Sequence, residues 1–135
     1  MALTHNFYTI GKKNNETIEI KVIISDDLIL YINDSLKWFN TIWANSQENQ
    51  GLDYHGVSII QDKNVILFKM ILGNWIGLFN NAPERFILTG DYLYDEDNYE
   101  QIEIDKEQLI KQLTSLINLC EYALENNINI IHEGI

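Results

Sequence analysis

Apolar residues recur at three- and four-residue steps through residues 105–125. Leu109, Leu113, Leu116, Ile117, Cys120, Ala123 and Leu124 form one stripe, the mark of an amphipathic helix. Asp105 stands where an N-cap belongs, and Gln108 sits three positions on, as in a capping box. Asn126-Asn127 supplies a stop, because Asn tolerates the left-handed conformation. Such a helix is roughly 30 Å long at ~1.5 Å per residue, and a stripe of that length needs a sheet to cover.

The remaining pattern supplies strands. Residues 5–11 hold Phe7, Tyr8 and Ile10 and predict a first strand, and 12–16 a turn. Residues 17–24 alternate, with Ile18, Ile20, Val22 and Ile24 on one face and Thr17, Glu19 and Lys21 on the other, which is a half-buried hairpin strand. Ser25-Asp26-Asp27 reads as a break, and 28–32 as a short apolar strand. Asn33-Asp34-Ser35 is a helix start signal. The helix it predicts runs to about Asn45 with Leu36, Phe39, Ile42 and Trp43 inward, and residues 46–51 read as a loop. The runs 57–61 and 65–72 predict a hairpin of central strands, although the second run also fits a buried helix. Gly73 to Gly77 then leaves the sheet, and residues 80–84 form a loop. Residues 86–94 and 99–104 pair across the turn Asp95-Glu96-Asp97-Asn98. Residues 128–131 add an edge strand. The fold class is α+β: one domain over 1–135, a mainly antiparallel sheet of about six strands, and two helices, the longer C-terminal.

Composition narrows the classes. A chain of 135 residues with 46% hydrophobic content is a one-domain globular length. Cys120 is the only cysteine; it lies on the helix stripe, where it reads as a small apolar core residue and fits a reducing compartment. The start, Met1 to Asn6, lacks a basic segment followed by an apolar one, and the apolar run 65–79 is short and interrupted. The expectation is a cytoplasmic protein, not membrane-bound. Nine Lys and Arg against 20 Asp and Glu leave a net charge of −11. Nucleic acid and anionic membranes would be repelled, and a basic protein attracted.

The acids are not spread evenly. Residues 91–107 hold Asp91, Asp95, Glu96, Asp97, Glu100, Glu103, Asp105 and Glu107, with Tyr92, Tyr94 and Tyr99 among them and Lys106 the single base. Strand alternation places Tyr92 and Tyr94 on one face and the turn acids at the hairpin tip. Carboxylates pair with Lys and Arg, while tyrosine adds contact area and a polar end. The plainer reading is a solvated hairpin whose tyrosines pack on the core. Trp75, set between Gly73 and Gly77, is a second candidate anchor, presented on a loop. An EF-hand fails on spacing: begun at Asp91 it puts Glu96 where glycine is needed, and begun at Asp95 it puts Lys106 twelfth. No cofactor or metal motif is present; phosphate-loop, dinucleotide and nucleophile-elbow patterns are missing. His5, His55 and His132 lack metal spacing; His55 in a loop and His132 in the tail are expected in solvent. Asp53 beside His55, or Glu133 beside His132, would serve acid–base chemistry only if the fold joined them.

These traits resemble bacterial immunity proteins that neutralise polymorphic or contact-dependent growth inhibition toxins. The stretch Phe86-Ile87-Leu88-Thr89-Gly90-Asp91, its acidic hairpin and the final helix carry the likeness, over about the last third of the chain. The resemblance implies a non-enzymatic antitoxin that grips a cognate, basic toxin domain, often a nuclease. The partner-binding residues expected are Asp91, Tyr92, Tyr94, Asp95, Glu96, Asp97, Tyr99, Glu100 and Trp75, with no catalytic residue. The alternative is a phage or mobile-element accessory protein acting as a homodimer. A small enzyme using His55 or His132 with a carboxylate is a third reading.

Overall fold

The computed structural model describes residues 3–135. Met1 and Ala2, the start of the segment read for a leader, lie outside the described residues. In chain order the elements are β1 (Thr4–Lys13), β2 (Glu16–Ser25), α1 (Asp26–Leu36), β3 (Asn40–Trp43), β4 (Glu48–Gln50) and β5 (Val57–Ile60). There follow α2 (Lys63–Phe79), β6 (Arg85–Leu93), β7 (Asn98–Asp105), α3 (Lys106–Asn126) and β8 (Ile130–Glu133). Six strands form one sheet in the order β2-β1-β8-β5-β3-β4, and β6-β7 stand apart as a two-stranded sheet. Every pairing is antiparallel. The chain is therefore α+β with its longest helix last, as the sequence predicts, but with three helices among the described residues rather than two.

The first hairpin turns at Asn14-Asn15, both at positive φ (53° and 65°), the backbone that a two-residue turn between twisted strands requires. On β1 and β2 the alternation holds: Phe7 and Ile24 are fully buried, while Ile10 and Ile23 on the other face are exposed. One face of the sheet thus takes the helices and the other stays largely open, the usual economy of an antiparallel sheet. Helix α3 begins as expected. Asp105 Oδ1 accepts from the Glu107 and Gln108 amides at 3.0 and 3.3 Å, and Asn127 closes the far end at φ 53°. Leu109, Leu113, Leu116, Leu119, Cys120 and Ala123 are its buried residues, and burial pushes the Cys120 thiol up to about 12.

The middle of the chain departs from expectation, and the cause is period. Residues 28–32 are not a strand but lie in α1, which buries Leu28, Ile29, Ile32 and Leu36 and exposes Leu30 and Tyr31. Asp26-Asp27, read as a break, are the first turn of that helix, where negative charge is favoured. Asn33-Asp34-Ser35 are its last turn, not its start, and Ser35 Oγ donates back to the Ile32 carbonyl at 2.6 Å. The helix expected to reach Asn45 is therefore replaced by β3, and the expected loop 46–51 contains β4, which pairs with it. Residues 65–72 are helix, not the second strand of a hairpin, and Gly73 to Gly77 continue α2 rather than leave the sheet. The apolar run continues to Phe79, a helical length. Residues 130–133 form no edge strand: β8 lies between β1 and β5.

Phe68 of α2 locks this arrangement. It is fully buried, with its ring centroid 5.7 Å from Phe7 and 4.9 Å from Phe39. Two residues on, Met70 is 59% exposed. A strand would set both on one face; the helix sets them about 200° apart at ~100° per residue. Phe68→Ala is therefore expected to cost about 3–5 kcal/mol, and Met70→Ala under about 1 kcal/mol. Urea unfolding midpoints measure both, and equal losses would contradict the helix.

Candidate functional site

The acidic hairpin is built on a change of face. On β6, Phe86 and Leu88 point to the core, and across from them on β7 so do Ile104 and Ile102. Continued alternation would carry Tyr92 and Tyr94 inward as well. Instead the register shifts between Thr89 and Tyr92: Thr89 faces Gln101 and Tyr92 faces Tyr99, so Gly90 and Asp91 together oppose Glu100. One extra residue on one strand is a β-bulge, and a slip of one residue turns every following side chain to the other face. Tyr92 and Tyr94 thereby join Tyr99 on the outside, at 37%, 88% and 55% exposure. The glycine fits the bulge closely: a Cβ at Gly90 would lie 3.1 Å from Glu100 Cβ and from Ile102 Cδ1.

The three rings meet edge to face. Tyr92 lies 5.1 Å from Tyr94 and 5.1 Å from Tyr99 between centroids, a favourable geometry for aromatic pairs. The Tyr92 hydroxyl donates to Asp97 Oδ1, and that bond raises the phenol above its ordinary range. Asp97 turns the loop at φ 49°, a conformation that Asp tolerates. Asp91, Asp95, Glu96 and Asp97 are exposed and Glu100 half-buried. Among the described residues none of these five enters an ion pair; the nearest pair in sequence joins Arg85 to Asp105 at 3.9 Å.

Helix α1 lies against the opposite, inward face of the hairpin, where Leu88, Glu100 and Ile102 point, away from Tyr92 and Tyr99. A cavity of about 150 Å³ between α1 and the hairpin is lined by Asp27, Leu30, Tyr31, Asp91, Glu100 and neighbours from β6 and β7. Asp27 thus adds a carboxylate, and Tyr31 an aromatic 46% exposed. Trp75 is placed otherwise than expected: it sits inside α2, not on a loop. It is half-buried, stacks on Phe79 at 5.5 Å and donates from Nε1 to Ser35 Oγ at 2.8 Å. Its ring stands 5.8 Å from Tyr31, so it backs the surface through Tyr31 instead of projecting as an anchor.

The histidines are the larger correction. His132, expected in solvent, is fully buried, and so is His5 of β1. Phe7 pairs with His132 across β1 and β8, and Ser58 pairs with His132 across β8 and β5, so these side chains share the helix-covered face. His5 Nδ1 lies 2.8 Å from His132 Nε2, and His5 Nε2 lies 2.8 Å from Asp26 Oδ1. Tyr54 donates to the other Asp26 oxygen at 2.7 Å. Ser58 Oγ stands 3.4 Å from His132 Nδ1 and accepts from the Asp53 amide at 2.7 Å. A carboxylate only accepts, so His5 Nε2 carries a proton, and one further proton bridges the two rings. Glu133, the sequence neighbour, faces away and accepts from Tyr8. His55 is exposed.

Chemically the row of Ser58, His132, His5 and Asp26 has the membership of a proton relay. Ser58 is 0% exposed, so its hydroxyl meets no substrate in this conformation. What the row does is tie α1 to the sheet. Burial, then the neighbouring His5, pushes His132 down to about 3. Burial, then the bond to Asp26, pushes Tyr54 up to about 12, with the charges of Asp26, Asp91 and Asp27 adding to the rise. The last strand is clamped over the cluster: the Gly134 amide donates to Gly56 at 2.8 Å and that of Ile135 to Tyr54 at 3.0 Å. A Cβ on Gly134 would fall 2.0 Å from the Tyr54 carbonyl oxygen. Among the described residues no group of three or more metal-ligating side chains is assembled, and no helix is long and apolar enough to cross a membrane.

The pH dependence follows from His132. The folded chain holds it neutral down to about 3, whereas an unfolded chain protonates it near its ordinary value of about 6.5. The unfolded state therefore binds more protons in between, and stability falls as pH drops. By pH 5 the loss is about 2 kcal/mol. Urea midpoints at pH 8, 7, 6 and 5 are expected to fall in wild type and to flatten in His132→Gln. An identical slope in the variant would contradict this assignment.

Compared with protein-family models, curated proteins and solved structures, the chain matches none.

Proposed function

We propose that the chain is a binding module that captures a cationic protein on the outer face of the β6–β7 hairpin, acting as a toxin-neutralising immunity protein. The observation that carries this reading is the trio Tyr92, Tyr94 and Tyr99. A bulge holds the rings in solvent, and carboxylates without counter-charges stand around them. Inside the molecule these rings cover nothing that would explain turning them outward. Against a lysine- or arginine-rich surface each part has work. The carboxylates steer the encounter and fix its register. The tyrosines give rigid, amphipathic area with few rotamers to freeze.

Size is consistent with that role only if α1 takes part. Neutralising a toxin needs nanomolar binding, about −12 kcal/mol, which goes with roughly 800 Å² on this chain. The hairpin tip falls short alone. Asp27, Leu30 and Tyr31 border the same cavity as Asp91 and Glu100 on the hairpin's inner side, so a partner that reaches them wraps over the hairpin edge, with Trp75 holding Tyr31 from behind. The class of partner, a basic toxin domain such as a nuclease, comes from the resemblance and the charge of −11. No reaction is assigned to the chain itself.

Co-expression with a neighbouring toxin reading frame tests the proposal by growth rescue, and stopped-flow mixing with the inactivated toxin reads the rates. Asp95→Lys with Asp97→Lys is expected to slow association about tenfold and flatten its salt dependence. Tyr94→Ala is expected to speed dissociation about tenfold or more. Tyr94→Ala and Asp95→Lys should not shift the melting temperature much, because these side chains are exposed, whereas Asp97→Lys loses the Tyr92 hydroxyl bond and sets a lysine at φ 49°, so a drop of a few degrees is expected from it alone. Full rescue and unchanged rates in the triple variant would remove the hairpin from the interface.

A further inference from the structure

The six-stranded sheet ends on β2 at one side and on β4, three residues long, at the other. Strand β2 is ten residues long, holds no proline, and pairs with β1 in unbroken register from Glu16 to Ser25. Proteins commonly blunt such an edge with a bulge, a proline or a covering segment. The turn decides which backbone groups are left over. A two-residue turn closes on a hydrogen-bonded pair, here Lys13 with Glu16, and bonded and non-bonded pairs alternate from there. Even-numbered residues of β2 therefore bond to β1, and the amides and carbonyls of Thr17, Glu19, Lys21 and Ile23 point away from it. The Ser25 amide fits that phase, since it donates to Gln112 Oε1 at 3.0 Å. Among the described residues no strand pairs with the other four.

This edge is complementary to itself. Turned about a two-fold axis at Ile20, it sets Glu19 opposite Lys21 of a second copy, and Lys21 opposite that copy's Glu19. Thr17 then faces Ile23, and all four positions carry free backbone groups, so about eight interstrand hydrogen bonds form. A shift of the axis by one residue either way sets Glu19 against Glu19 or Lys21 against Lys21, which is destabilising across strands. On the helix-covered side the half-buried Ile18 meets Val22, and Ile20 meets Ile20. The chain carries −11, yet the groove of about 510 Å³ between this edge and α3 is lined from the helix by Gln108, Lys111, Gln112, Ser115 and Asn118, with no carboxylate. Gln112 stands at Ser25, about five residues from the axis, so the neighbouring Lys111 side chains of the two copies lie roughly 30 Å apart. We propose that a second copy of this chain adds its β2 here, antiparallel and in that register, joining two six-stranded sheets into one. Fewer residues take part than the roughly 20–30 a side of a standard interface, so the dimer forms in the roughly micromolar range. The edge shares no residue with the hairpin face, so this contact stands or falls independently of the proposed toxin surface.

Sedimentation equilibrium of the full chain from about 1 to about 300 µM reads the association. A concentration-dependent dimer is expected. Lys21→Glu should weaken it at least about tenfold by setting acid against acid. Glu19→Lys should weaken it as much, although it brings the chain nearer neutrality. The swap of both, Glu19→Lys with Lys21→Glu, keeps the net charge, renews both pairs and should restore wild-type association. Both side chains are exposed, so the circular dichroism should not change. In the wild type, amide exchange at Thr17, Glu19, Lys21 and Ile23 should slow as concentration rises. A monomer across the whole range overturns the inference and leaves the edge to a strand of another protein. A dimer indifferent to the single changes, one that the swap fails to restore, or one without slowed exchange at those four amides overturns it too.

Discussion

The carboxylate of Asp26 joins three parts of the chain that are far apart in sequence. It takes one hydrogen bond from His5 of the first strand and one from Tyr54 of the loop before β5, and through His5 it reaches His132 of the last strand. Buried polar groups are costly when unpaired and specific when complete, and this row is complete from Asp26 to Ser58. It sets where α1 begins and against which strands it lies. Replacing these groups with apolar ones would preserve burial but would no longer dictate which helix end meets which strand. Thr9, further along β1, shows the other case: its hydroxyl is buried without a partner among the described residues.

With α1 fixed, the second sheet has a place to stand. Phe86, Leu88, Ile102 and Ile104 dock the hairpin on the core, and the cavity between it and α1 is edged by Asp27, Asp91 and Glu100. The bulge at Gly90-Asp91 then decides what the tip shows. Before it, even-numbered residues of β6 face inward; after it, they face solvent. One inserted residue converts a tyrosine pair that would have thickened the core into a surface patch. The same device leaves β7 unbroken, so Tyr99 meets Tyr92 across the strands on the outer side. Surface charge completes the patch: the carboxylates lie where no lysine or arginine of the chain neutralises them, and that is the condition for reaching a cationic partner.

The ends of the chain were legible because their patterns admit one period. The alternation of Ile18, Ile20, Val22 and Ile24 fits only a strand, and the stripe from Leu109 to Leu124 with Asp105 before it fits only a helix. The middle was not, because Leu28 to Ile32 and Val65 to Leu72 are apolar at almost every position, and a solid run has no period to read. Asp105 marked the start of α3 through its capping side chain and Asn127 its end through the left-handed backbone it tolerates, whereas Ser25 makes no side-chain cap to α1, so its start carried a weaker signal. The buried cluster was invisible for a different reason. His5 and His132 are separated by 127 positions, and only the insertion of β8 between β1 and β5 unites them. The hairpin acids and tyrosines were visible as composition; that the rings face outward depended on Gly90, whose place inside a strand is the one local sign of a bulge.

The central claim is that the hairpin's outer face, with the adjoining edge of α1, is where a cationic protein binds. Backbone amide shifts followed by NMR during titration with an inactivated toxin partner test it most directly. The account predicts the largest changes at Tyr92, Tyr94 to Tyr99, Asp27 and Tyr31, with the buried His5 and His132 little altered. Changes centred instead on β2 and the exposed side of α3, at Lys21, Ile23, Ser115 and Asn118, would contradict it.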